Sequence, residues 1–308
     1  MAREKSSAGT GKSYRVAGQI VAAGKLAAGL HIVATPIGNL GDITLRALDA
    51  LAGADLIACE DTRVTRKLLD RYGIATPLTP YHEHNAAQAR PVLLQKLAEG
   101  ASIALVSDAG TPLISDPGFK LVRAVTEAGH AVTALPGASA VLTGLTLSAL
   151  PTDAFYFAGF LPPKTAARRT RIAELARIPA TLILFETGPR LGAALADLAE
   201  GLGGDREAAV CRELTKLHEE IKRGTLAALG QAYADNEPRG EIVLVIAPPA
   251  APLAASVADT EEMLRAALAR VSLKDAVAEV ADATGVPRRD VYQRALALTK
   301  EIKNGAPR

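Results

Sequence analysis

From residue 31 onward, short apolar runs alternate with longer stretches whose apolar residues recur every three or four positions. The runs His31–Thr35, Ala54–Cys59, Ser102–Ser107 and Ala131–Leu135 have strand length. Between them, the spacing predicts helices near Thr44–Leu51, Thr62–Tyr72, Asn85–Glu99, Phe119–Ala128 and Ala138–Ser148. Short, mainly apolar runs alternating with amphipathic helices suit parallel strands covered on both faces, so the order predicts a βαβ series and an α/β fold.

The pattern breaks at Leu150–Lys164, where prolines flank a strand-like aromatic run, and a domain junction is expected there. A second, shorter and more antiparallel series follows, with strands near Thr181–Glu186, Glu207–Glu213, His218–Gly224 and Glu241–Ala247 and a helix near Leu191–Gly201. The Pro/Ala-rich stretch Ala247–Ser256 reads as a linker. Beyond it, Asp275–Leu296 holds two short helices around Thr284–Pro287, the spacing of a helix-turn-helix, with Ala276, Val277, Val280 and Val291 at core positions. The expected organisation is a flexible basic extension over 1–30, domains over 31–150 and 151–250, and a helical domain over 257–308.

Composition narrows this picture. The 308 residues are 49% apolar but 4% aromatic, with no Trp, so the cores must be built from Ala, Leu, Val and Ile. Cys59 and Cys211 form no metal or disulfide motif, and no apolar run is long enough for a membrane span, which favours a reduced cytoplasmic setting. Arg3, Lys5, Lys12, Arg15 and Lys25 oppose a single Glu4 in the first 30 residues, unlike a secretory signal. A net charge of +2 means that any nucleic acid is met through local patches.

Three loops follow strand ends of the first series: Ala34–Asn39, Ser107–Gly118 and Pro136–Ala140. In open α/β sheets the carboxyl ends of the strands form the ligand crevice, and small residues let backbone approach a ligand closely, so a nucleotide-like cofactor is implied. A dinucleotide G-x-G-x-x-G is missing after the first strand, and G-T-G-K-S at Gly9–Ser13 lacks the first Walker glycine, with Ser6 in its place. His82 and His84 have H-x-H spacing without further ligands, so no metal is expected.

The segments A-T-P-I-G-N-L-G-D-I-T (Ala34–Thr44), C-E-D-T-R-V-T-R-K-L-L (Cys59–Leu69), Y-H-E-H-N (Tyr81–Asn85), the Ser107–Gly118 loop, L-P-G-A-S-A, G-F-L-P-P-K, F-E-T-G-P-R (Phe185–Arg190) and C-R-E-L-T-K (Cys211–Lys216) closely resemble the small-subunit ribosomal RNA cytidine 2′-O-methyltransferases of the tetrapyrrole-methylase superfamily. The resemblance spans about residues 31–300. It implies two αβα domains with S-adenosylmethionine in the cleft between them, a homodimer, and methyl transfer to a decoding-centre cytidine of 16S ribosomal RNA in the small ribosomal subunit. By the same resemblance Pro36 and Gly38 lie beneath the cofactor, Asp108, Ala109, Gly110 and Thr111 along its edge, and Ser139 and Ala140 near its methionine portion.

Transfer from a sulfonium to a hydroxyl gains from positioning and from a proton acceptor, which singles out Asp61 and Glu186 at strand ends. Asp61 equally reads as a helix N-cap, and Glu186 as a partner of Arg190. Three basic clusters suit RNA phosphates: Arg63 with Arg66 and Lys67; Lys164, Arg168, Arg169 and Arg171; and Arg288, Arg289 and Arg294. The second run meets no acid in sequence until Glu174. A sister methyltransferase acting on a tetrapyrrole or a modified histidine, and a ribosome-assembly factor without turnover, are the alternatives.

Overall fold

The computed structural model describes residues 11–116, 118–249 and 257–304, the side chains of 257–259 and 300–304 excepted. It divides after Ala247 into two compact units.

The described residues begin with an antiparallel hairpin, β1 (Ser13–Val16) and β2 (Gln19–Ala22). A flexible extension over 1–30 was the expectation, and it is corrected for residues 11–30. Tyr14 and Ala23 are buried in the first core, and Lys12 Nζ donates to the Ala54 carbonyl at 2.6 Å and to that of Gly53. Residues 1–10 lie outside the described residues.

The first sheet holds β3 (Gly29–Val33), β4 (Leu56–Cys59), β5 (Leu78–Pro80), β6 (Ser102–Val106) and β7 (Val132–Leu135) in the order β5-β4-β6-β3-β7, all parallel. Helices α1 (Leu45–Gly53) and α2 (Thr62–Tyr72) cover one face with Leu48, Leu51, Leu68 and Leu69, where the hairpin also packs. Helices α3 (Ala86–Ala98) and α4 (Phe119–Glu127) cover the other with Leu93, Leu97, Leu121 and Val125. Every β6 residue is buried, as a central parallel strand requires.

After α5 (Ala140–Ser148) the chain enters the second sheet through β8 (Phe155–Phe160). There follow α6 (Thr165–Leu175), β9 (Thr181–Thr187), α7 (Gly188–Leu202), β10 (Glu207–Arg212), β11 (Glu220–Thr225), α8 (Leu226–Ala232) and β12 (Glu241–Ile246). Strand order is β11-β10-β12-β9-β8; β8 runs parallel to β9 and the other pairs are antiparallel. Period-two alternation splits its two faces. Leu182, Leu184, Ile242 and Leu244 pack against α6, α7 and α8, while Ile183, Val243 and Val245 meet Val141 and Leu145 of α5 and Ile37 of the first domain. One helix of the first domain therefore closes the second sheet, which fixes the two domains against each other along the cleft.

In the second unit, α9 (Val257–Leu268), α10 (Leu273–Thr284) and α11 (Arg288–Asn304) enclose a small core containing Leu264, Ala276, Val277, Val280, Val291 and Leu298. Ser272 caps α10, and Gly285 at φ +68° ends it in the left-handed region before the short turn into α11.

Candidate functional site

The carboxyl edge of the parallel sheet carries the three expected loops, and the structure ties them together. Thr35 and Gly110 exchange backbone hydrogen bonds of 2.9 and 3.0 Å, Thr35 Oγ1 donates to the Ser107 carbonyl, and Thr111 Oγ1 donates to that of Ala138. A Cβ on Gly137 would stand 2.8 Å from that of Ala34, so the first and third loops approach as closely as glycine permits. Gly110 spends both of its backbone groups on this clasp, so it shapes the cleft through the clasp itself.

A cavity of about 370 Å³ opens between these loops and the second sheet. Asp108, Ala109, Gly110, Thr111, Ser139 and Ala140 line one side, with Glu186 on the other. Ile37, Val141, Phe185, Leu214 and Ile242 supply apolar walls. Ser139 is also the N-cap of α5. Pro36 and Gly38 are not among this cavity's lining; they line a neighbouring cavity of about 340 Å³ that shares Ile37, Asp108, Ala109 and Glu241 with the first. The resemblance implies a place for them beneath the cofactor, and in the structure they border the space that adjoins the first cavity. A Cβ on Gly38, whose φ is +154°, would meet the Lys216 side chain 2.4 Å away: the lysine stem lies across this glycine.

Asp61 lines neither cavity, which corrects its candidacy as proton acceptor. Its Oδ1 accepts from the Arg63 amide at 2.8 Å, the N-cap contact of α2, and its carboxylate also accepts from the Arg63 guanidinium at 2.6 Å. The guanidinium first, then the amide, hold its pKa at about 2, which makes it a poor base. Its own backbone N–H donates to Asp108 Oδ1 at 3.0 Å and so helps to set the Asp108 side chain.

Glu186, at the end of β9, is buried to 2% exposure. Oε1 accepts from the Thr187 amide at 2.9 Å and lies 3.2 Å from Arg190 Nε, whereas Oε2 has no hydrogen-bond partner among the described residues. Burial pushes its pKa up, against the opposing pull of the Thr187 amide and Arg190. A buried carboxylate oxygen without a partner is costly, so its position on the cavity wall suits a ligand that donates to it.

Sequence reasoning missed two more carboxylates here. Glu60 and Asp116 both line the first cavity, and burial foremost raises the pKa of each, with Asp108 adding to the effect. Lys216 was missed too; its Nζ donates to Glu213 at 2.8 Å and to Glu241 at 2.9 Å. Glu213 and Thr215 are held at φ +51° and +64°, a cost for non-glycine residues that marks this loop as tightly constrained. The motif C-R-E-L-T-K was the available signal.

The Lys164–Arg171 run is corrected most sharply. Arg168 is buried and pairs with Asp197 of α7, Nε to Oδ2 at 2.6 Å, so it cannot meet RNA. Arg169 binds Asp197 and Glu200, and Arg171 binds Glu174 and Tyr156. Lys164 remains exposed without an ion pair among the described residues. Arg63 is exposed but engaged by Asp61, while its neighbours Arg66 and Lys67 are exposed and make no ion pair among the described residues. In the second unit, Arg288 and Arg289 pair with Asp282 and Asp290.

A parallel sheet whose carboxyl edge faces a mostly antiparallel second sheet across such a cleft defines the class. The chain belongs to the tetrapyrrole (corrin/porphyrin) methylase family, which it matches over residues 29–230. Residues 254–299 match the RsmI C-terminal HTH domain. The chain is 52% identical over 270 residues to the ribosomal RNA small subunit methyltransferase I of Mesorhizobium japonicum, covering 87% of this chain and 92% of that one. To the protein of the same name from Erythrobacter litoralis it is 54% identical over 275 residues, covering 89% and 96%. Among solved structures it resembles the uroporphyrin-III C-methyltransferase of Thermus thermophilus complexed with S-adenosylhomocysteine, with a TM-score of 0.51 at 16% identity, covering 71% of this chain and 97% of that one. At that identity the likeness concerns the fold.

Proposed function

We propose that this protein methylates the ribose 2′-hydroxyl of a decoding-centre cytidine in 16S ribosomal RNA, using S-adenosylmethionine. The observation that carries the reading is the 52–54% identity, over nearly the whole length, to proteins named ribosomal RNA small subunit methyltransferase I. A sister enzyme acting on a tetrapyrrole or a modified histidine has no comparable support, because those likenesses stay at 16–20% identity.

The first cavity fits the cofactor. Its volume and mixture of apolar wall with a few polar groups match a small-molecule site. The partnerless Glu186 Oε2 suits the ammonium or a ribose hydroxyl of S-adenosylmethionine, so we assign Glu186 to holding the cofactor. Asp108 to Thr111, with Ser139 and Ala140, form the opposite wall. When bound, the cofactor supplies an electrophilic methyl group. The protein's part is to align the acceptor oxygen and to exclude water, from which most of the acceleration of such a transfer can come.

The domain roles follow: the regions 31–150 and 151–249 form the two walls of the catalytic cleft, and 257–304 form a separate helical domain. Arg66, Lys67 and Lys164, which make no ion pair among the described residues, supply RNA-facing charge. A cytoplasmic homodimer is the working form: the ribosomal RNA that it would methylate is cytoplasmic, and the outer edge of β8, unpaired among the described residues, exposes Phe155 and Tyr156.

Incubating the protein with methyl-labelled S-adenosylmethionine and small subunits from a strain lacking this activity tests the reading. Label in 16S RNA supports it; label in no RNA removes it and leaves the assembly-factor alternative.

A further inference from the structure

The second cavity has no role in the function described so far. We propose that it is the subsite for the target ribonucleotide, extruded from its strand, with the ribose 2′-hydroxyl brought against the wall formed by Asp108 and Ala109. The inference rests on the RNA-methyltransferase reading and gives it a place on the protein.

Position is the first argument. The two cavities share Ile37, Asp108, Ala109 and Glu241, so a ligand in one lies next to a ligand in the other. Methyl transfer requires two molecules held in contact and aligned, and a common wall is where they can meet.

Shape and polarity are the second. At about 340 Å³ the cavity is within the range of small-molecule sites. Pro36, Leu40 and Val64 give it apolar flanks, and Leu40 and Val64 are 40% and 38% exposed although both are apolar. Such flanks suit the faces of a flipped base, which loses its stacking partners when it leaves the strand. Thr65 is 3% exposed and, among the described residues, its Oγ1 has no partner apart from the weakly polar Cys59 thiol. A buried hydroxyl of this kind is available to a polar edge of base or sugar.

Charge is the third. Lys216 is occupied by Glu213 and Glu241, but Lys67 lines the same cavity, is exposed, and makes no ion pair among the described residues. With Arg66 beside it on α2, it can take the phosphates flanking the extruded nucleotide.

Asp108 is then the carboxylate common to donor and acceptor. In the transfer, the 2′-oxygen forms its bond to the methyl carbon while the carbon–sulfur bond breaks and its electron pair returns to sulfur. The hydroxyl proton passes to the Asp108 carboxylate, whose orientation the Asp61 amide holds.

The test uses the full-length protein and two variants, Val64→Trp to fill the cavity and Lys67→Glu to reverse its charge. Calorimetry reads S-adenosylhomocysteine binding, filter retention reads small-subunit binding, and label reads methyl transfer. Both variants should keep the analogue's affinity within about twofold while subunit binding and transfer at low subunit concentration fall at least about tenfold. Wild-type transfer in both variants overturns the subsite and leaves the wider function standing. Parallel loss of analogue affinity assigns the cavity to the cofactor and also overturns it. If the wild-type protein itself transfers no methyl to RNA, the wider reading fails and the subsite falls with it.

Discussion

The Arg168 guanidinium lies 2.6 Å from the Asp197 carboxylate with both side chains buried, tying α6 to α7 beneath the second sheet. Burial alone would raise the Asp197 pKa, but the hydrogen bonds from Arg168 and Arg169 outweigh it and the net shift is downward. Removing one partner of such a pair strands the other, at a cost of about 3–5 kcal/mol. Arg168→Ala should therefore lower the unfolding free energy read by denaturant titration by that amount, and the stability carried by Asp197 should be lost as pH falls below the ordinary aspartate range through its depressed pKa. Unchanged stability with weakened RNA binding would return Arg168 to the RNA surface.

Asp61 offers a cleaner separation of structural from chemical roles. Asn is as good an N-cap as Asp but cannot accept a proton. Asp61→Asn should keep methyl transfer within a few-fold, whereas loss of a proton acceptor costs about 10²–10⁴ in rate. Single-turnover label transfer distinguishes the two.

Glu186 should act on binding. Its raised pKa means that the neutral carboxyl persists above the ordinary glutamate range, and a donor on the cofactor favours the charged form. Affinity for S-adenosylmethionine should rise as pH climbs through that raised pKa and become flat in Glu186→Gln. A hydrogen bond to a charged group contributes about 1.5–3 kcal/mol, so the variant should bind roughly 10- to 100-fold more weakly at high pH. Titration calorimetry across pH reads both effects; wild-type affinity in the variant would remove Glu186 from the cofactor site.

Asp108→Asn should do the reverse. The amide oxygen can still accept from the Asp61 N–H, so the side chain keeps its orientation and the fall in transfer should far exceed any change in S-adenosylhomocysteine affinity. Single-turnover transfer should fall by about 10²–10⁴. Retained transfer would exclude Asp108 as the proton acceptor.

Much of this arrangement was legible in the sequence. The apolar run Ile103–Val106 of β6 and the small-residue loops after β3, β6 and β7 announced a parallel sheet with a ligand at its carboxyl edge. The hairpin β1–β2 was not legible, because its strands are four residues long and its hold on the core rests on a few contacts such as Tyr14 and Lys12. Arg168 was read as surface because its partner Asp197 is 29 residues away in sequence. A local signal did exist: Arg168, Ile172 and Leu175 stand at i, i+4 and i+7, and all three are buried. The second cavity was hidden for a different reason, since it is assembled by α2, the β3 loop and a constrained segment around Lys216 that meet only in the fold.

Alkaline hydrolysis of RNA labelled by this protein tests the central claim most directly. A ribose 2′-O-methyl group removes the nucleophile that cleaves the adjacent phosphodiester, so the account predicts label in a single alkali-resistant dinucleotide that begins with 2′-O-methylcytidine. Label released as alkali-sensitive mononucleotides, or no label in 16S RNA, would contradict it.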